Sequence, residues 1–376
     1  MPRIFFAAIY LCVVAVSNAQ TAEEFYKKGV ALKDEKKSSE AVLAFREAVR
    51  LKPDYYAASY EMGWCYNDLK QYASALATLK PLRQTWSSIP KVFFETGYAF
   101  DKLNMIDSAI VAYNQCLQLK ADYSLSFKQL GTIAYQKDEY SKALEYFTKY
   151  EGATKLEITD YLYWYRKGFM ENAEKKYTQS KESLLKSLQY KKDYINTYLE
   201  LGFSANKMKQ ADEAIEWFNE AMKLDAKSHI PYNGIAEVYR DTKKDMDQAI
   251  NWYQKTLAIK TDERKACFGM GYCLNSKGRY SDAITYLKKA IQQESDYTAA
   301  YVELGYSYYM TNDNALALEK LNKAIELNPK NENARYYSGL VYISQKNKTQ
   351  AQKMVDELKD LNSKNASTLQ EKVNKM

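Results

Sequence analysis

The sequence predicts an all-α protein, a right-handed α-solenoid superhelix of about ten helix-turn-helix repeats. Glycine recurs along the chain with a period close to 34 residues. The composition favours helices, because 46% hydrophobic and 27% charged residues accompany only 13 glycines and 6 prolines, too few for many strands or long loops. Within each period the apolar positions follow one face of an amphipathic helix. The sequence therefore predicts a repeat array and not a set of separate globular domains.

The recurring glycine marks one position of each repeat. The series is Gly29, Gly63, Gly97, Gly131, Gly168, Gly202, Gly271, Gly305 and Gly339, with Ala236 in the remaining place. The steps are 34 residues, except for one of 37 before Gly168 and one of 35 before Gly271. The repeats are predicted to start near residues 22, 56, 90, 124, 161, 195, 229, 264, 298 and 332, giving an array over 22–363. A capping helix or tail is expected at 364–376.

The pattern resembles the tetratricopeptide repeat over nearly the whole chain. The first repeat carries that family's large and small residues as Phe25, Gly29, Leu32, Ala41, Phe45, Ala48 and Pro53, and the ninth carries them as Tyr301, Gly305, Tyr308, Ala317, Leu321, Ala324 and Pro329. The twentieth position is alanine at Ala75, Ala109, Ala143, Ala214, Ala249 and Ala283. The resemblance implies two packed helices in each repeat, with the first helices lining a concave groove that holds a partner.

Two departures from the period predict local irregularities. A three-residue excess near 157–160 predicts a longer connector before the fifth repeat, in which Ser180 replaces the usual alanine. The seventh repeat has one extra residue between Asp241 and Asp247. We expect a surface loop to hold that residue.

The first nineteen residues are predicted to be a signal peptide. Arg3 precedes an apolar run from Ile4 to Val16, and the small residues Ser17 and Ala19 flank Asn18, which predicts cleavage before Gln20. An uncleaved anchor is the alternative, although a spanning helix needs about 20 apolar residues. No later segment is apolar enough to span a bilayer. The mature protein is therefore expected to be exported, to the periplasm, the outer membrane or the medium.

Charge and cysteine content argue against two other classes of protein. The net charge of +7 is spread among interspersed acids and bases, which is typical of solvated helices and not of a nucleic-acid-binding protein. Cys267 and Cys273 lie about 9 Å apart along one predicted helix, beyond the reach of a disulfide. Cys65 and Cys116 could pair, but small buried core residues are the favoured interpretation for all four cysteines.

No constellation of catalytic or metal-binding residues stands out. His229 is the only histidine, which excludes a two-histidine zinc motif. Asp241, Asp245 and Asp247 lack the glycine and glutamate of a calcium loop. Gly269-Met270-Gly271 falls within a predicted helix, with no phosphate-binding loop around it. We expect no enzymatic activity, cofactor or metal.

The residues predicted to line the groove are aromatic at two positions of the first helices. Positions are counted from the first residue of each repeat. Position nine is Trp64, Tyr98, Phe169, Phe203, Tyr272 and Tyr306, and position five is Tyr26, Tyr60, Phe94, Tyr165, Phe268 and Tyr336. Their spacing places them on one stripe of each helix. Rings provide contact area at low entropic cost. Packing between neighbouring first helices is the alternative role for these rings.

Two polar series accompany the rings. Position twelve is Asn67, Asn172, Asn206 and Asn275, and position six is Glu61, Glu95, Glu200 and Glu303. An asparagine amide both donates and accepts hydrogen bonds, so these amides are predicted to bind the backbone of an extended peptide. The carboxylates are expected to be solvated.

These patterns together predict a non-enzymatic protein-interaction scaffold of the cell envelope. It would bind an extended segment of a partner on its aromatic concave face. The alternatives are a glycan- or peptidoglycan-binding module, since rings also stack on sugars, and a purely architectural subunit of an envelope complex. A chaperone-tail clamp is not favoured, because Lys128 at position five is followed by Thr132 at position nine.

Overall fold

The structure is a computed structural model that describes residues 21–376. The prediction of an all-α repeat fold is confirmed: over this range the chain forms helices and turns, with no strand. The predicted signal peptide, 1–19, lies outside the described residues. The chain divides between Glu157 and Ile158 into two compact units, here called unit 1 and unit 2.

Unit 1 contains four two-helix repeats. Its helices are α1 (Ala22–Asp34), α2 (Ser38–Leu51), α3 (Tyr56–Asp68), α4 (Tyr72–Thr85), α5 (Pro90–Lys102), α6 (Ile106–Leu119), α7 (Ser124–Gln136) and α8 (Tyr140–Ala153). Odd-numbered helices are the first helices of their repeats. Each packs against the second helix of its own repeat, and α3, α5 and α7 also pack against the second helix of the preceding repeat.

Unit 2 contains six repeats and a final helix. Its helices are α9 (Tyr161–Ala173), α10 (Tyr177–Tyr190), α11 (Ile195–Lys207), α12 (Ala211–Leu224), α13 (Ile230–Val238), α14 (Met246–Ile259), α15 (Arg264–Ser276), α16 (Tyr280–Gln293), α17 (Thr298–Met310), α18 (Asn314–Leu327), α19 (Glu332–Ser344), α20 (Lys348–Asp360) and α21 (Asn365–Asn374). The final helix, α21, packs on α19 and α20 and places the fully buried Leu369 against Gly339. It thereby covers the apolar end of the stack.

The glycine at position eight makes room for a large side chain from the second helix of the same repeat. A Cβ on Gly29 would lie 2.6 Å from the ring of Phe45, and one on Gly63 would lie 2.5 Å from Leu79. Phe45 and Leu79 are fully buried. In these repeats the missing side chain at position eight therefore lets the two helices approach closely.

A left-handed residue ends the first helix of nearly every repeat. In the first repeat Lys36 has a φ of 62°; its N–H donates to Lys33 O, and the N–H of Lys37 donates to Leu32 O. These two bonds are the Schellman arrangement, which satisfies carbonyls that the helix end leaves unpaired. Lysine, asparagine or aspartate occupies the left-handed position in most repeats, and Gly278 occupies it in the eighth.

The extra residue of the seventh repeat lies inside a helix, so the expectation of a surface loop is wrong. α13 continues into a π-helical turn, Tyr239–Lys243, which ends at the left-handed Lys244. A π turn holds one more residue than an α turn, so the insertion fits without a break in the helix. Within this turn the Arg240 guanidinium donates to the Tyr253 hydroxyl at 2.7 Å and to both oxygens of Asp241.

Serines replace alanines along the second helix of the fifth repeat without losing hydrogen bonds. Ser180 Oγ donates to Gly168 O at 2.7 Å, and Ser183 Oγ donates to Glu171 Oε2 at 2.7 Å. Ser187 Oγ lies 3.0 Å from Tyr161 O. All three serines are buried, and because each hydroxyl has a partner, burial carries no unpaired polar group.

The four described cysteines are free and buried, as the sequence favoured. Burial raises the pKa of the Cys65 and Cys273 thiols to about 12 and that of Cys267 to about 11. The thiolate is the reactive form of cysteine. These residues therefore act as small core side chains.

Candidate functional site

The first helices form the inner face of each unit. In unit 1, α1 packs on α3, α3 on α5 and α5 on α7, and in unit 2 the series runs from α9 to α19. Comparable packing between successive second helices is absent from residues 21–376. Each unit therefore curves with its first helices on the inside, and "inner face" here means the surface that these helices form.

The position-nine rings lie on the inner face and are partly accessible. Phe203 and Tyr272 are each 37% exposed, and Trp64, Tyr98, Phe169 and Tyr306 are half-buried. Three of these rings meet a tyrosine from the second helix of the preceding repeat in edge-on pairs: Tyr98 with Tyr72, Phe203 with Tyr177 and Tyr306 with Tyr280. The pairs hold the rings in place while one side stays open.

Lysines lie over several of these rings. The Nζ atoms of Lys33, Lys102 and Lys207 are each 5.1 Å from a ring centroid, those of Trp64, Tyr98 and Phe203 respectively. The negative ring face attracts the ammonium group at such distances. A partner that uses these rings must share them with, or displace, flexible lysine side chains.

The position-five rings pack within the array. Tyr60 and Phe94 are each only 7% exposed. Four members contact the tyrosine 29 residues later, with centroids 5.0–5.3 Å apart: Tyr26 with Tyr55, Phe94 with Tyr123, Tyr165 with Tyr194 and Phe268 with Tyr297. In the last repeat, Tyr336 contacts Tyr337. For Tyr60 and Phe94, burial therefore fits the alternative role that the sequence left open, which is packing between helices.

Asparagines at position twelve join successive repeats through the glutamates at position six. Each donates from Nδ2 to the backbone carbonyl and to the carboxylate of a glutamate 28 residues later: Asn67 to Glu95, Asn172 to Glu200 and Asn275 to Glu303, at 2.8–3.2 Å. In the first repeat Lys33 takes the asparagine's place and pairs with Glu61 at 2.6 Å. We call this series the twelve-to-six ladder.

The ladder uses the asparagine amides that the sequence predicted to bind the backbone of a partner peptide. Asn67, Asn172, Asn206 and Asn275 are at most 7% exposed, and the Oδ1 of Asn206 accepts from Thr242 at 2.7 Å. Burial and these internal bonds leave the amides little capacity for a peptide backbone. The groups left accessible on the inner face are therefore the position-nine rings and charged residues around them.

The expectation of solvated carboxylates is wrong for the ladder. Glu95 is only 8% exposed, and burial raises its pKa to about 7 although the Asn67 hydrogen bond opposes that rise. Burial also raises the pKa of Glu200 and of Glu303. A carboxylate in an apolar setting favours its neutral form because water no longer stabilises the charge.

One atom of the ladder lacks a partner within the part of the chain that the structure describes. The Oδ1 of Asn172 accepts from Ser204 at 2.5 Å and that of Asn275 accepts from Ser307 at 2.7 Å. Asn67 Oδ1 is buried without a partner, and Ala99 occupies the position that corresponds to those serines. The missing hydroxyl explains the unpaired atom.

Replacing Ala99 with serine should therefore stabilise the protein. The new hydroxyl would donate to Asn67 Oδ1, and we expect a gain of about 1 kcal/mol in the free energy of unfolding, the worth of one satisfied buried hydrogen bond. Urea unfolding of A99S measures it, with A99S/N67L as the control in which the acceptor is absent. A99S no more stable than the wild type would contradict the assignment.

A concave site on the inner face of unit 1 combines rings and charges. It is about 380 Å³ and extends across α3, α5 and α7. Its walls include Trp64, Phe94 and Tyr98 from the predicted set, and its rim includes Asp68 and Lys70. We call it the unit 1 pocket. Tyr72 and Leu125 also line it. The sequence signal for Tyr72 was a tyrosine 26 residues before three of the six position-nine rings.

Unit 2 has its own pocket on the inner face, of about 320 Å³. Tyr165 and Phe203 of the predicted set line it, together with Glu200. The sequence did not predict that Asn233 and Glu237 also line it. The sequence feature that could have identified these two residues is that they replace rings at positions five and nine of the seventh repeat.

The remaining polar motifs have structural partners. His229 precedes α13, and burial together with the charge of Lys260 lowers its pKa. Asp241 pairs with Arg240, Asp245 caps α14, and Asp247 pairs with Lys277. Among residues 21–376 no group of three or more potential metal-binding side chains occurs. No helix in that range is both long and apolar enough to cross a membrane.

Comparison with known proteins identifies the repeat. Tetratricopeptide-repeat models match residues 32–85, 90–123 and 193–262. The chain is built of tetratricopeptide repeats. A fourth model, described as subunit 3 of the anaphase-promoting complex or cyclosome, matches residues 276–358 of the tetratricopeptide array.

Two solved structures agree with this fold, and one curated protein matches part of the chain in sequence. Yeast Tom70 superposes with a TM-score of 0.51 at 14% identity, covering 94% of this chain and 89% of Tom70. PilW, a type IV pilus biogenesis factor, has a TM-score of 0.51 at 16% identity, covering 56% of this tetratricopeptide chain and 97% of PilW. The Drosophila melanogaster protein O-mannosyl-transferase Tmtc3 is 27% identical over 131 residues, which span 31% of this chain and only 14% of that protein.

Proposed function

We propose that this protein is a non-catalytic scaffold that binds an extended segment of a partner protein on the inner faces of its tetratricopeptide units. The observation that carries the proposal is the unit 1 pocket, in which Trp64 and Tyr98 stay accessible on packed, parallel first helices. A rigid aromatic surface binds a peptide with little loss of side-chain entropy.

The dimensions of this surface suit an extended chain. Neighbouring helix axes lie roughly 8–10 Å apart, so the three first helices around the unit 1 pocket present a span of roughly 20 Å. An extended peptide rises about 3.3 Å per residue, so about six residues would cross the pocket. Alternate side chains would meet the rings, and the others would face Asp68 and Lys70 at the rim.

Export to the cell envelope is part of the proposal and rests on the predicted signal peptide. A mature protein beginning at Gln20 would carry its partner-binding surface in the periplasm or at the outer membrane. N-terminal sequencing of the protein purified from its native cells tests this cleavage. A mature chain that retains residues 1–19 would remove export by cleavage from the proposal.

Loss of the two accessible rings should abolish peptide binding. Short random peptides displayed on phage are selected on the protein, and the affinity of a selected peptide is measured by fluorescence anisotropy. For W64A/Y98A we expect binding to weaken by at least about tenfold, because truncated aromatic anchors commonly cost more than 1 kcal/mol each. Leu43→Ala is the control, since Leu43 is an exposed apolar residue on the second helix α2.

The outcomes separate the classes of function. Equal peptide affinity for the double variant and the wild type would reject the inner face as the binding surface. Titration with soluble peptidoglycan fragments, followed by tryptophan fluorescence, runs in parallel. A response to the glycan that W64A/Y98A removes, with no peptide selected, would indicate a glycan-binding module. A protein that binds neither probe would fit an architectural subunit.

A further inference from the structure

The pocket of unit 2 departs from the aromatic pattern in the seventh repeat. Position five carries a ring in six of the ten repeats and so does position nine, whereas this repeat carries Asn233 and Glu237 there. Both side chains line the unit 2 pocket, which extends across α9, α11, α13 and α15. Two polar groups thus line this pocket at positions where other repeats carry rings.

Rings still surround these polar groups. Position six of the same repeat is Gly234, where a Cβ would lie 2.5 Å from the ring of Phe218. The glycine therefore lets Phe218 reach the pocket from the preceding second helix. Together with Tyr165 and Phe203 it provides aromatic walls, against which the alkyl stem of a long side chain could pack.

Asn233 lines this pocket and carries an unpaired side-chain acceptor. The residue is 8% exposed, and its Nδ2 donates to Glu237 Oε1 at 2.9 Å. That bond fixes the amide orientation, because a reversed amide would place two acceptors against each other. The Oδ1 atom is buried and has no hydrogen-bond partner in the described chain. An unsatisfied acceptor of this kind is costly unless a ligand donates to it.

Acceptors outnumber donors around the pocket. No basic nitrogen among residues 21–376 lies within 4.0 Å of the Glu237 carboxylate, because Arg240, one turn away, is engaged with Asp241 and Tyr253. Lys265 also lines the pocket and forms no ion pair with the residues that the structure describes, and Lys207 lies over the ring of Phe203. A ligand that fits this set of groups supplies several donors and a positive charge.

We propose that the unit 2 pocket takes the charged end of a basic side chain, arginine or lysine, from the polypeptide segment that the inner face binds. The cationic group would donate to Asn233 Oδ1 and to Glu237 at once, while its stem packs on Phe203. A guanidinium is favoured, because its five donors and flat face suit dispersed acceptors between rings. This inference rests on the proposed function and adds the chemistry that the segment must carry.

The test uses a matched pair of short peptides. The full-length protein, labelled with ¹⁵N and deuterium, is titrated with a pentapeptide that has arginine at its centre and glycine elsewhere, and separately with the same peptide carrying citrulline. Citrulline has nearly the shape of arginine but no charge. We expect the arginine peptide to shift the amide signals of Asn233 and Phe203, and to bind at least about tenfold more tightly than the citrulline peptide, since charge-assisted hydrogen bonds are roughly twice as strong as neutral ones.

Glu237→Gln should remove this difference, because glutamine keeps the acceptor for Asn233 Nδ2 and loses the charge. Equal affinities of the two peptides for the wild type, or no response to the arginine peptide, would overturn the inference. So would spermidine binding more tightly than the peptide, since a free polyamine would then be the occupant. The affinity of a selected peptide for W64A/Y98A tests the proposed function separately. If that affinity falls while the arginine and citrulline peptides bind the wild type equally, the proposed function stands and this inference falls.

Discussion

Gly269→Ala is expected to destabilise the protein by about 3 kcal/mol, the upper part of the range for overpacking a well-filled core. A Cβ at this position would overlap the ring of Tyr253, which is fully buried. The ring cannot turn aside freely, because its hydroxyl accepts a 2.7 Å hydrogen bond from Arg240, and Arg240 is in turn held by Asp241. The new methyl group would therefore strain the π turn as well as the core.

Urea unfolding followed by circular dichroism at 222 nm measures this effect. Gly152→Ala is the matched control, since a Cβ there meets nothing within 4 Å and alanine is the better helix former by up to about 1 kcal/mol. We expect the midpoint of unfolding to fall for G269A and to stay level or rise for G152A. Equal midpoints for G269A and the wild type would show that Tyr253 is free to move.

Glu95→Gln is expected to stabilise the protein at pH 8 and to leave its stability at pH 4.5 nearly unchanged. Burial raises the pKa of Glu95 from 4.5 to about 7 in the folded protein. The folded state therefore binds more protons than the unfolded state between these values, and stability falls as the pH rises through this window. At 1.36 kcal/mol per pKa unit, ionisation of the buried carboxyl costs on the order of 3 kcal/mol above pH 7.

Glutamine cannot ionise, yet its side-chain oxygen can still accept from Asn67. The difference in the free energy of unfolding between E95Q and the wild type should therefore grow from near zero at pH 4.5 to its full value above pH 7. Glu145→Gln provides the control: Glu145 is exposed and pairs with Lys149 on the surface, where an ion pair contributes at most about 1 kcal/mol. A constant difference between E95Q and the wild type at all pH values would contradict the buried, neutral carboxyl.

The period predicted the fold because it encodes a local packing requirement. In eight of the ten repeats a glycine fits against a large side chain 16 residues later, as Gly29 fits against Phe45, so one sequence repeats the constraint many times. The fold class was therefore available from the sequence. The π turn at Tyr239–Lys243 was not, because one extra residue can enter a loop or a helix, and the choice depends on the tertiary bonds of Arg240.

The site was harder to predict than the fold because exposure depends on contacts between repeats. Asn67 and Glu95 look like surface residues when each helix is considered alone, and they bury each other only after stacking. Their constant separation of 28 residues was visible in the sequence. The burial of these residues could not be predicted from that spacing, because the spacing indicates which groups meet and not whether water is excluded around them. Asn233 and Glu237 were overlooked because they interrupt a pattern.

Hydrogen exchange measured by mass spectrometry, with and without a selected peptide, tests the peptide-binding inner face most directly. Within unit 1 we predict slower exchange on peptide binding in the first helices α3, α5 and α7, which surround the unit 1 pocket, and unchanged exchange in the second helices α4 and α6. Protection confined to α4 and α6, with the first helices unaffected, would contradict it.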